Sequence, residues 1–405
     1  MQINLLDPHA YANGQPIDQM MWLQEHDPVH WHPEPGDGPG FWALTRYADA
    51  KAVHSNPKVF SSQPTITVQE TFTLGDESHF HLIASDAPRH TQHRRFLGEE
   101  LAAGEVRKRT EQVRDIVREV IDDVIEKGEC DLVWDLAGNL AAYAAADIIG
   151  IPRHEGVALY ELADRIANSE STIDGDGLQA ATDLFQHAAS VRSDRMRCPR
   201  NDWATRVAEG GLDGFQTDEM QFFIDFMMIF GGAVDTSRNV LAGGMDALFR
   251  DPGQWAALVA DPGLVPSAVE EMIRWVTPIV YQRRTVTEDT EIGGKTIRTG
   301  QKVASFLAAA NRDPAVFDDA LRFDIYRRPN HHIAFGFGPH FCLGSHLARL
   351  ELNLMLAEMV RRLPDIRPTA PTVWSREGDA DRQVAPIIIG PQSMPVCFGP
   401  GKALS

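Results

Sequence analysis

The feature that most restricts the fold of this chain is a glycine-rich segment that contains a cysteine. Residues 335–344 read FGFGPHFCLG, and the sequence from there to about residue 362 has the apolar periodicity of a helix. Cys342 therefore lies where a loop meets a helix N-terminus, whose unpaired N–H groups and positive dipole end favour an ionised thiol. The glycines also allow a flat cofactor to approach the backbone closely. We therefore expect Cys342 to act as a thiolate ligand.

Two other interpretations of this segment remain open. Cys342 could be an inert buried thiol, the commonest state of a lone cysteine, although this leaves the glycine-rich composition unexplained. Zinc is the second alternative, because four histidines and one cysteine lie within sixteen residues: His331, His332, His340, Cys342 and His346. However, the spacer between His340 and Cys342 is shorter than zinc sites usually have, and no second cysteine is near. Zinc is therefore the weaker alternative.

Apolar periodicity predicts a mainly α-helical chain with small β-sheets. Helical patterns occur at about 106–125, 131–149, 155–168, 177–196, 217–250, 266–276 and 343–362. The pattern at 217–250 would form a helix about 50 Å long, which is enough to cross the whole molecule as a central helix. Short β-prone runs at 40–45, 285–297, 303–306 and 384–389 predict small sheets at one side of the helical body.

The middle of the long helical pattern has an unusual composition. Residues 230–239 read FGGAVDTSRN. A glycine inside a helix costs about 1 kcal/mol relative to alanine, and the side chains of Asp235, Thr236 and Ser237 can bond to backbone carbonyls instead of supporting the helix. We therefore expect a kink here. Close packing of a second helix against Gly231 and Gly232 is the simpler alternative.

Length and composition indicate one soluble domain. The 405 residues contain no internal repeat and no linker long enough to separate modules. We expect a single domain over 1–405, with β-rich parts near 40–60, 285–306 and 375–399. The net charge of −19 disfavours binding to nucleic acid or to an anionic membrane. Four widely spaced cysteines, no signal-peptide pattern and no apolar run near 18 residues predict a cytoplasmic protein without a membrane segment.

The glycine-rich segment resembles the haem-ligand signature of the cytochrome P450 mono-oxygenases, Phe-x-x-Gly-x-x-x-Cys-x-Gly. Phe335, Gly338, Cys342 and Gly344 occupy its fixed positions. The resemblance implies the P450 fold of the soluble bacterial type, with the long central helix crossing over the cofactor. It also implies that Cys342 is the axial thiolate to the iron of haem b and that Phe335, Gly338 and Gly344 are cofactor-binding. A thiolate donates electron density that favours O–O cleavage.

The same resemblance assigns two pairs of residues elsewhere in the chain. Glu271-x-x-Arg274, which alone would indicate only a surface ion pair, would join Arg322 of the later LRFD sequence in a structural network that supports the haem loop. Asp235 and Thr236 match the acid and alcohol of the family's oxygen-activating helix, so they are the predicted catalytic, proton-relaying residues. The chain departs from the family at Ala233, where many members have glycine, and the extra methyl could narrow the oxygen groove.

Cationic anchors for the two haem propionates are also implied. His90 and Arg94 lie four residues apart and would share one helical face after Pro88. By resemblance, Arg284 and His340 complete the set. Arg283 is a near-equal alternative to Arg284.

The function implied by the resemblance is oxygen insertion into a C–H bond. The chain would be a haem-thiolate mono-oxygenase that hydroxylates a hydrophobic small molecule, such as a terpenoid, a steroid or a fatty acid, with O₂ and two electrons. Because the sequence has no flavin, nicotinamide or iron–sulfur fingerprint, the electrons would come from a 2Fe-2S ferredoxin and its NAD(P)H-dependent reductase. The alternatives are a peroxide-driven peroxygenase and a non-enzymatic haem-binding sensor.

The substrate pocket and the redox-partner face complete the expectations. The family places segments near 65–80, 154–200, 226–232 and 279–280 around the pocket. The small or apolar candidates there, which could equally be core residues, are Met228, Gly231, Gly232, Ile279 and Val280. Docking of an acidic ferredoxin onto an acidic protein requires a local basic face. Its candidates, which could also be solvated helix charges, are Arg89, Arg95, Arg349, Arg361 and Arg362.

Overall fold

A helix of 32 residues, Glu219–Arg250, occupies the position of the predicted central helix. The computed structural model describes residues 3–69, 81–168, 175–212, 215–375 and 387–404. The long helix begins where the carboxylate of Asp218 accepts a hydrogen bond from the backbone N–H of Gln221, as an N-cap does. It continues through the two glycines without interruption, so the expected kink does not break the helix.

The helices are numbered in chain order. They are α1 Ile17–His26, α2 Tyr47–Ser55, α3 Arg89–Leu97, α4 Ala103–Lys108, α5 Thr110–Ile125, α6 Asn139–Ile149, α7 Arg153–Asn168, α8 Gly175–Arg197, α9 Trp203–Glu209, α10 Glu219–Arg250, α11 Pro252–Ala260, α12 Val265–Val276, α13 Leu307–Ala310 and α14 Ser345–Arg362. The pattern predicted at 106–125 is two helices, separated at Arg109. The pattern predicted at 131–149 is a π-helical turn, Leu132–Gly138, followed by α6.

Small sheets accompany this helical body, as predicted. The strands are β1 Val29–His32, β2 Phe41–Leu44, β3 Phe60–Ser61, β4 Glu129–Asp131, β5 Gly211–Leu212, β6 Phe215–Gln216, β7 Gln282–Val286, β8 Thr290–Ile292, β9 Lys295–Ile297, β10 Lys302–Ser305, β11 Arg367–Pro368 and β12 Pro395–Cys397. The largest sheet has the order β1-β2-β10-β7-β3, and its β2–β10 pair is parallel. Of the β-rich part predicted near 375–399, residues 376–386 lie outside the described residues.

Two buried apolar clusters hold α10 along its length. One cluster surrounds its second half and includes Leu241, Met272 of α12 and Leu352 of α14. The other surrounds its first half and includes Phe226 and Phe230. α10 is therefore packed on several sides, and the residues along it are positioned by helices from distant parts of the chain.

Among the described residues, one stretch of 18 residues, Leu132–Ile149, is long and apolar enough to cross a membrane by length and composition. The sequence predicted no uninterrupted apolar run of this length, and this stretch is interrupted by Asp135 and Asp147. In the structure, 72% of this stretch is buried inside the protein, as in a core helix.

Candidate functional site

The cysteine loop is closed by a hydrogen bond between its two ends. The backbone N–H of Cys342 donates to the carbonyl of Phe335 at 2.8 Å. Gly336 and Gly338 have φ values of +74° and +72°, a region that other residues rarely adopt. A Cβ atom at Gly338 would lie 2.1 Å from the carbonyl oxygen of His54 in α2. Glycine is therefore required at position 338 by both backbone conformation and close packing.

The thiol of Cys342 lies three residues before the first residue of α14. Burial raises the pKa of Cys342, while the N–H groups of Gly344 and Ser345 and the guanidinium of Arg94 and Arg349 act in the opposite direction. The sequence predicted a lowered pKa, but for the protein alone burial outweighs the helix N-terminus. A coordinated cation deprotonates such a thiol outright. Arg349 also stacks on Phe335, with its guanidinium carbon 4.6 Å from the ring centre.

Histidines and arginines from four parts of the chain lie together near this loop. His90 of α3 is buried, and its ring is 3.9 Å from that of His340. Burial lowers the pKa of His340 to about 2 and that of His90 to about 4, with neighbouring cations adding to the effect. Arg284 of β7 is buried near the same histidines, and burial lowers its pKa to about 10. This cluster brings positive or potentially positive groups together where the sequence predicted propionate anchors.

The structure distinguishes between the two neighbouring arginines of β7. Side chains on a strand alternate between its faces. Arg283 donates from Nη1 to the carbonyl of Thr67 at 3.1 Å and from Nη2 to Thr285 Oγ1 at 3.0 Å. Arg284 instead acts electrostatically on His54, His90 and His340. The geometry therefore favours Arg284 over Arg283 as the anchor.

His54 is a member of this cluster that the sequence analysis missed. Its side chain is buried, and within the described residues neither ring nitrogen has a hydrogen-bond partner. Burial, Arg284 and His340 all lower the pKa of His54. The sequence shows only one histidine on the amphipathic helix α2, which carries no signal for a site.

The residues present fit a haem. In the described part of the chain, Arg94 makes no ion pair and Arg284 bonds only the carbonyl of Arg283, at 2.7 Å. The nitrogen Nε2 of His90 is buried without a partner there. Two carboxylates would satisfy these groups, as charge-assisted hydrogen bonds do. The thiol of Cys342 supplies a soft ligand of the kind that haem iron accepts. Among the described residues, no group of three or more His, Cys, Asp and Glu could hold a metal ion by itself.

The predicted acid and alcohol lie in the middle of α10. The hydroxyl of Thr236 donates to the carbonyl of Gly232 at 2.8 Å, which is the competition with the helix that the composition predicted. A Cβ atom added at Gly231 or Gly232 would meet nothing within 4 Å. These glycines therefore border open space and do not mark a tight helix crossing. Asp235 lies close enough to Tyr160 of α7 to contribute, after burial, to raising the pKa of that phenol to about 12.

The carboxylate of Glu271 is the centre of a buried network. Its side chain and that of Arg274 are both 0% exposed, and they are joined by two hydrogen bonds of 2.7 and 2.8 Å. The third arginine is Arg327, whose Nε donates to Glu271 at 3.1 Å. The prediction of Arg322 is wrong. The side chain of Arg322 is exposed, and only its carbonyl takes part, accepting from Arg274 at 3.0 Å and from Arg327 at 3.1 Å.

The substrate-pocket candidates separate into two groups. Val280 is fully buried in an apolar cluster with Tyr281 and Phe306, so it is a core residue and its assignment to the pocket is wrong. Met228, Gly231, Gly232 and Ile279 retain exposed surface. Part of the segment near 65–80 and part of the predicted lid at 154–200 lie outside the described residues.

The candidate docking arginines also differ in their exposure and in their ion pairs. The side chain of Arg362 is 4% exposed and forms an ion pair with Asp122 of α5, so it cannot present a charge to a partner and its assignment is wrong. Arg349 bonds Glu270 at 2.6 and 2.9 Å. Burial alone would raise the pKa of Glu270, but bonds from His332 and Arg349 hold it at about 2. Arg361 pairs with Glu358, whereas Arg95 is exposed on α3, one residue after Arg94.

A half-buried cysteine just before a helix N-terminus and beside a cationic cluster defines a haem-thiolate class of protein, and comparisons with known proteins agree. The family model described as Cytochrome P450 matches residues 258–364. A steroid C26-monooxygenase of Mycolicibacterium smegmatis is 32% identical over 403 residues, covering 98% of this chain and 96% of that protein. The chain belongs to the cytochrome P450 family, and it is an oxidoreductase of the P450 monooxygenase type.

Two further known proteins are similar to this chain. A methyl-branched lipid omega-hydroxylase of Mycobacterium bovis is 33% identical and covers 82% of this chain and 80% of its own length. A cytochrome P450 of Mycobacterium marinum, solved in complex with pseudoionone, superposes with a TM-score of 0.89 at 30% identity, covering 98% of this chain and 99% of that one. The predicted family and fold are therefore confirmed.

Proposed function

We propose that this protein is a single-domain, cytoplasmic P450 that hydroxylates an aliphatic carbon of a hydrophobic, methyl-branched molecule of the steroid or terpenoid type. When bound, haem b supplies the redox chemistry that lets one atom of O₂ enter a C–H bond while the other is reduced to water. Cys342 would hold the iron, with Phe335 beside it. His90, Arg94, Arg284 and His340 would hold the propionates, and His54 would support that cluster.

The cationic cluster around the cysteine loop carries this proposal. Arg284 is buried and Arg94 is half-buried, and in the described part of the chain Asp86 acts on Arg284 and His90 electrostatically without an ion pair. Cations without a directly bonded carboxylate are costly in a protein interior, and a dianionic cofactor offsets that cost. The substrate class is supported by what the relatives' names share. The names refer to a steroid, a methyl-branched lipid and pseudoionone, and all three are branched, largely apolar molecules. The open space at Gly231 and Gly232 on α10 is compatible with such a guest.

A titration of the haem spin state tests the substrate class. Purified holoprotein is titrated with a sterol bearing an intact side chain, a methyl-branched fatty acid, an acyclic terpenoid ketone, a straight-chain fatty acid and an aromatic acid. We expect the branched compounds to convert the largest fraction of haem to the high-spin form. A response to the straight-chain and aromatic acids alone would contradict the proposed class, and product analysis with O₂ and reductant separates an enzyme from a haem-binding sensor.

Thr236 and Asp235 are proposed to deliver protons for oxygen activation. We expect Thr236→Ala to lower the product formed per NAD(P)H several-fold and to release hydrogen peroxide, because the hydroxyl that holds a proton is gone. Thr236→Ser keeps the hydroxyl and is the matched control, with coupling close to that of the unchanged protein. Quantifying product, NAD(P)H and peroxide in one reaction checks the result. Full coupling in Thr236→Ala would remove this residue from the relay.

Electrons are proposed to arrive from a 2Fe-2S ferredoxin, itself reduced by an NAD(P)H-dependent reductase, at the face that includes Arg89 and Arg95. Arg95 is exposed, whereas Arg89 is half-buried. We expect Arg95→Glu to slow reduction by a ferredoxin several-fold and to weaken the dependence of that rate on salt. Arg250→Glu, at the exposed last residue of α10, is the control. Equal reduction rates in Arg95→Glu and the unchanged protein at low salt would locate docking elsewhere.

A further inference from the structure

A buried histidine and a buried aspartate link two functional helices of this protein. His93 of α3 and Asp225 of α10 have side chains that are 0% and 1% exposed. His93 Nε2 lies 2.8 Å from Asp225 Oδ1, so the Nε2–H of the ring donates to the carboxylate. Gln221, one turn earlier on α10, donates to the same oxygen at 3.1 Å. This contact joins residues that are 132 positions apart in sequence.

Burying these polar groups costs free energy, and an apolar contact could stabilise the fold without that cost. Asp225 Oδ2 is buried and has no hydrogen-bond partner within the described residues. Burial raises the pKa of Asp225, and the bonds from His93 and Gln221 act in the opposite direction. Well-packed apolar residues often stabilise such a position as much as a buried polar pair does. Unlike an apolar contact, the hydrogen bond between His93 and Asp225 also restricts the relative orientation of α3 and α10, because a hydrogen bond weakens steeply when its geometry changes.

The position of His93 on α3 shows which side chains depend on this orientation. α3 has only nine residues, Arg89–Leu97, and the proposed propionate anchors His90 and Arg94 lie on both sides of His93. At about 100° per residue, the side chains of His90 and Arg94 share one helix face and His93 lies beside it. Any rotation of α3 that keeps both anchors aimed at the haem site also keeps His93 aimed at α10, and any rotation that breaks the contact moves both anchors.

The other end of α3 is held separately. Trp203 and Arg206 of α9 donate to the carbonyls of Leu97 and Phe96, respectively. These bonds go to the backbone of the last two residues of α3. They therefore limit how far that end of the helix can move, and they limit the rotation of its first turns less. His81, which precedes α3, also faces His93, and burial lowers its pKa to about 4, so it remains neutral.

We propose that the His93–Asp225 pair is a positioning device that fixes the rotation of α3 against α10 and thereby holds the haem anchors His90 and Arg94 in place. His93 and Asp225 act through those anchors and not on the reacting atoms. This inference rests on the proposed haem site. It predicts that breaking the pair accelerates haem loss beyond any effect of lowered stability.

The test measures haem transfer from holoprotein to excess apomyoglobin together with thermal unfolding. We expect Asp225→Leu and His93→Phe to release haem at least about tenfold faster, the equivalent of about 1.4 kcal/mol. Asp225→Asn retains a hydrogen bond to the ring and should stay within about twofold of the unchanged protein. Asp122→Leu breaks the buried Asp122–Arg362 pair, which lies away from α3, and is the matched control. It should lower the unfolding temperature without accelerating haem release.

Three outcomes would overturn the inference. Haem release at the unchanged rate in Asp225→Leu and His93→Phe would do so, as would equal acceleration in Asp122→Leu, or acceleration in Asp225→Asn as large as in Asp225→Leu. Where Asp225→Leu does not fold, Asp225→Ser removes the same carboxylate with less added bulk and carries the same expectation. Failure of the proposed function gives a different result, because the unchanged protein would then show no thiolate-ligated haem spectrum.

Discussion

Cys342→Ala is expected to abolish the strongly red-shifted absorption band of the reduced, carbon-monoxide-treated protein and to lower product formation to background. Alanine cannot ligate iron, and the histidines near the loop cannot replace the electron donation of a thiolate. Cys198→Ala is the matched control, because Cys198 is an exposed cysteine at the end of α8. It should retain the spectrum and the activity of the unchanged protein.

The absorption spectrum of each reduced protein under carbon monoxide is the decisive measurement. A globin-like band in the unchanged protein would exclude thiolate ligation. A red-shifted band that survives in Cys342→Ala would transfer the ligand role to another cysteine. Cys130 would be a poor replacement, because burial and nearby carboxylates raise the pKa of its thiol to about 12.

Glu271→Gln is expected to have the largest effect on stability. The carboxylate accepts bonds from Arg274, from Arg327, from Asn330 and from the backbone N–H of Asp324. Its removal leaves the buried Arg274 without a counter-charge, which costs about 3–5 kcal/mol. We therefore expect a much lower yield of holoprotein and a clear fall in the unfolding temperature, measured by calorimetry or circular dichroism on protein purified with haem.

The two arginines of the following loop provide a matched comparison. Arg327→Ala removes a buried bond to Glu271 and should be destabilising, by about 2 kcal/mol. Arg322→Ala removes an exposed side chain whose carbonyl still accepts from Arg274, so its effect should stay within about 0.5 kcal/mol. The reverse order of these two effects would show that the network uses Arg322, as the sequence suggested.

Most of the local features of the site could be read from sequence because each depends on residues close together in the chain. The glycines before Cys342 are required by a loop that bends within ten residues. Glu271 and Arg274 are one helical turn apart, so their pairing follows from helix geometry alone. The hydroxyl of Thr236 reaches the carbonyl of Gly232 for the same reason.

The errors occurred where the choice depended on distant parts of the chain. The sequence named Arg322 as the partner of Glu271, but in the structure it is Arg327, 56 residues from Glu271, whose side chain reaches that carboxylate, and the side chain of Arg322 is exposed. Arg362 has the sequence context of a surface residue, yet α5 brings Asp122 against it. Val280 follows Ile279 directly, but packing of the N-terminal segment buries it.

The sequence by itself determined the family and the long helix, and it supplied Cys342 as the proposed thiolate ligand and Asp235 and Thr236 as the proposed acid and alcohol, because short motifs and helical periodicity encode these features locally. Only the tertiary structure decided that Arg284 and not Arg283 joins the histidines, that His54 belongs to that cluster, and that His93 meets Asp225. These contacts join segments more than a hundred residues apart in several cases. The face that a strand or a short helix presents is set by the packing of its neighbours, and the pattern within the element leaves that choice open.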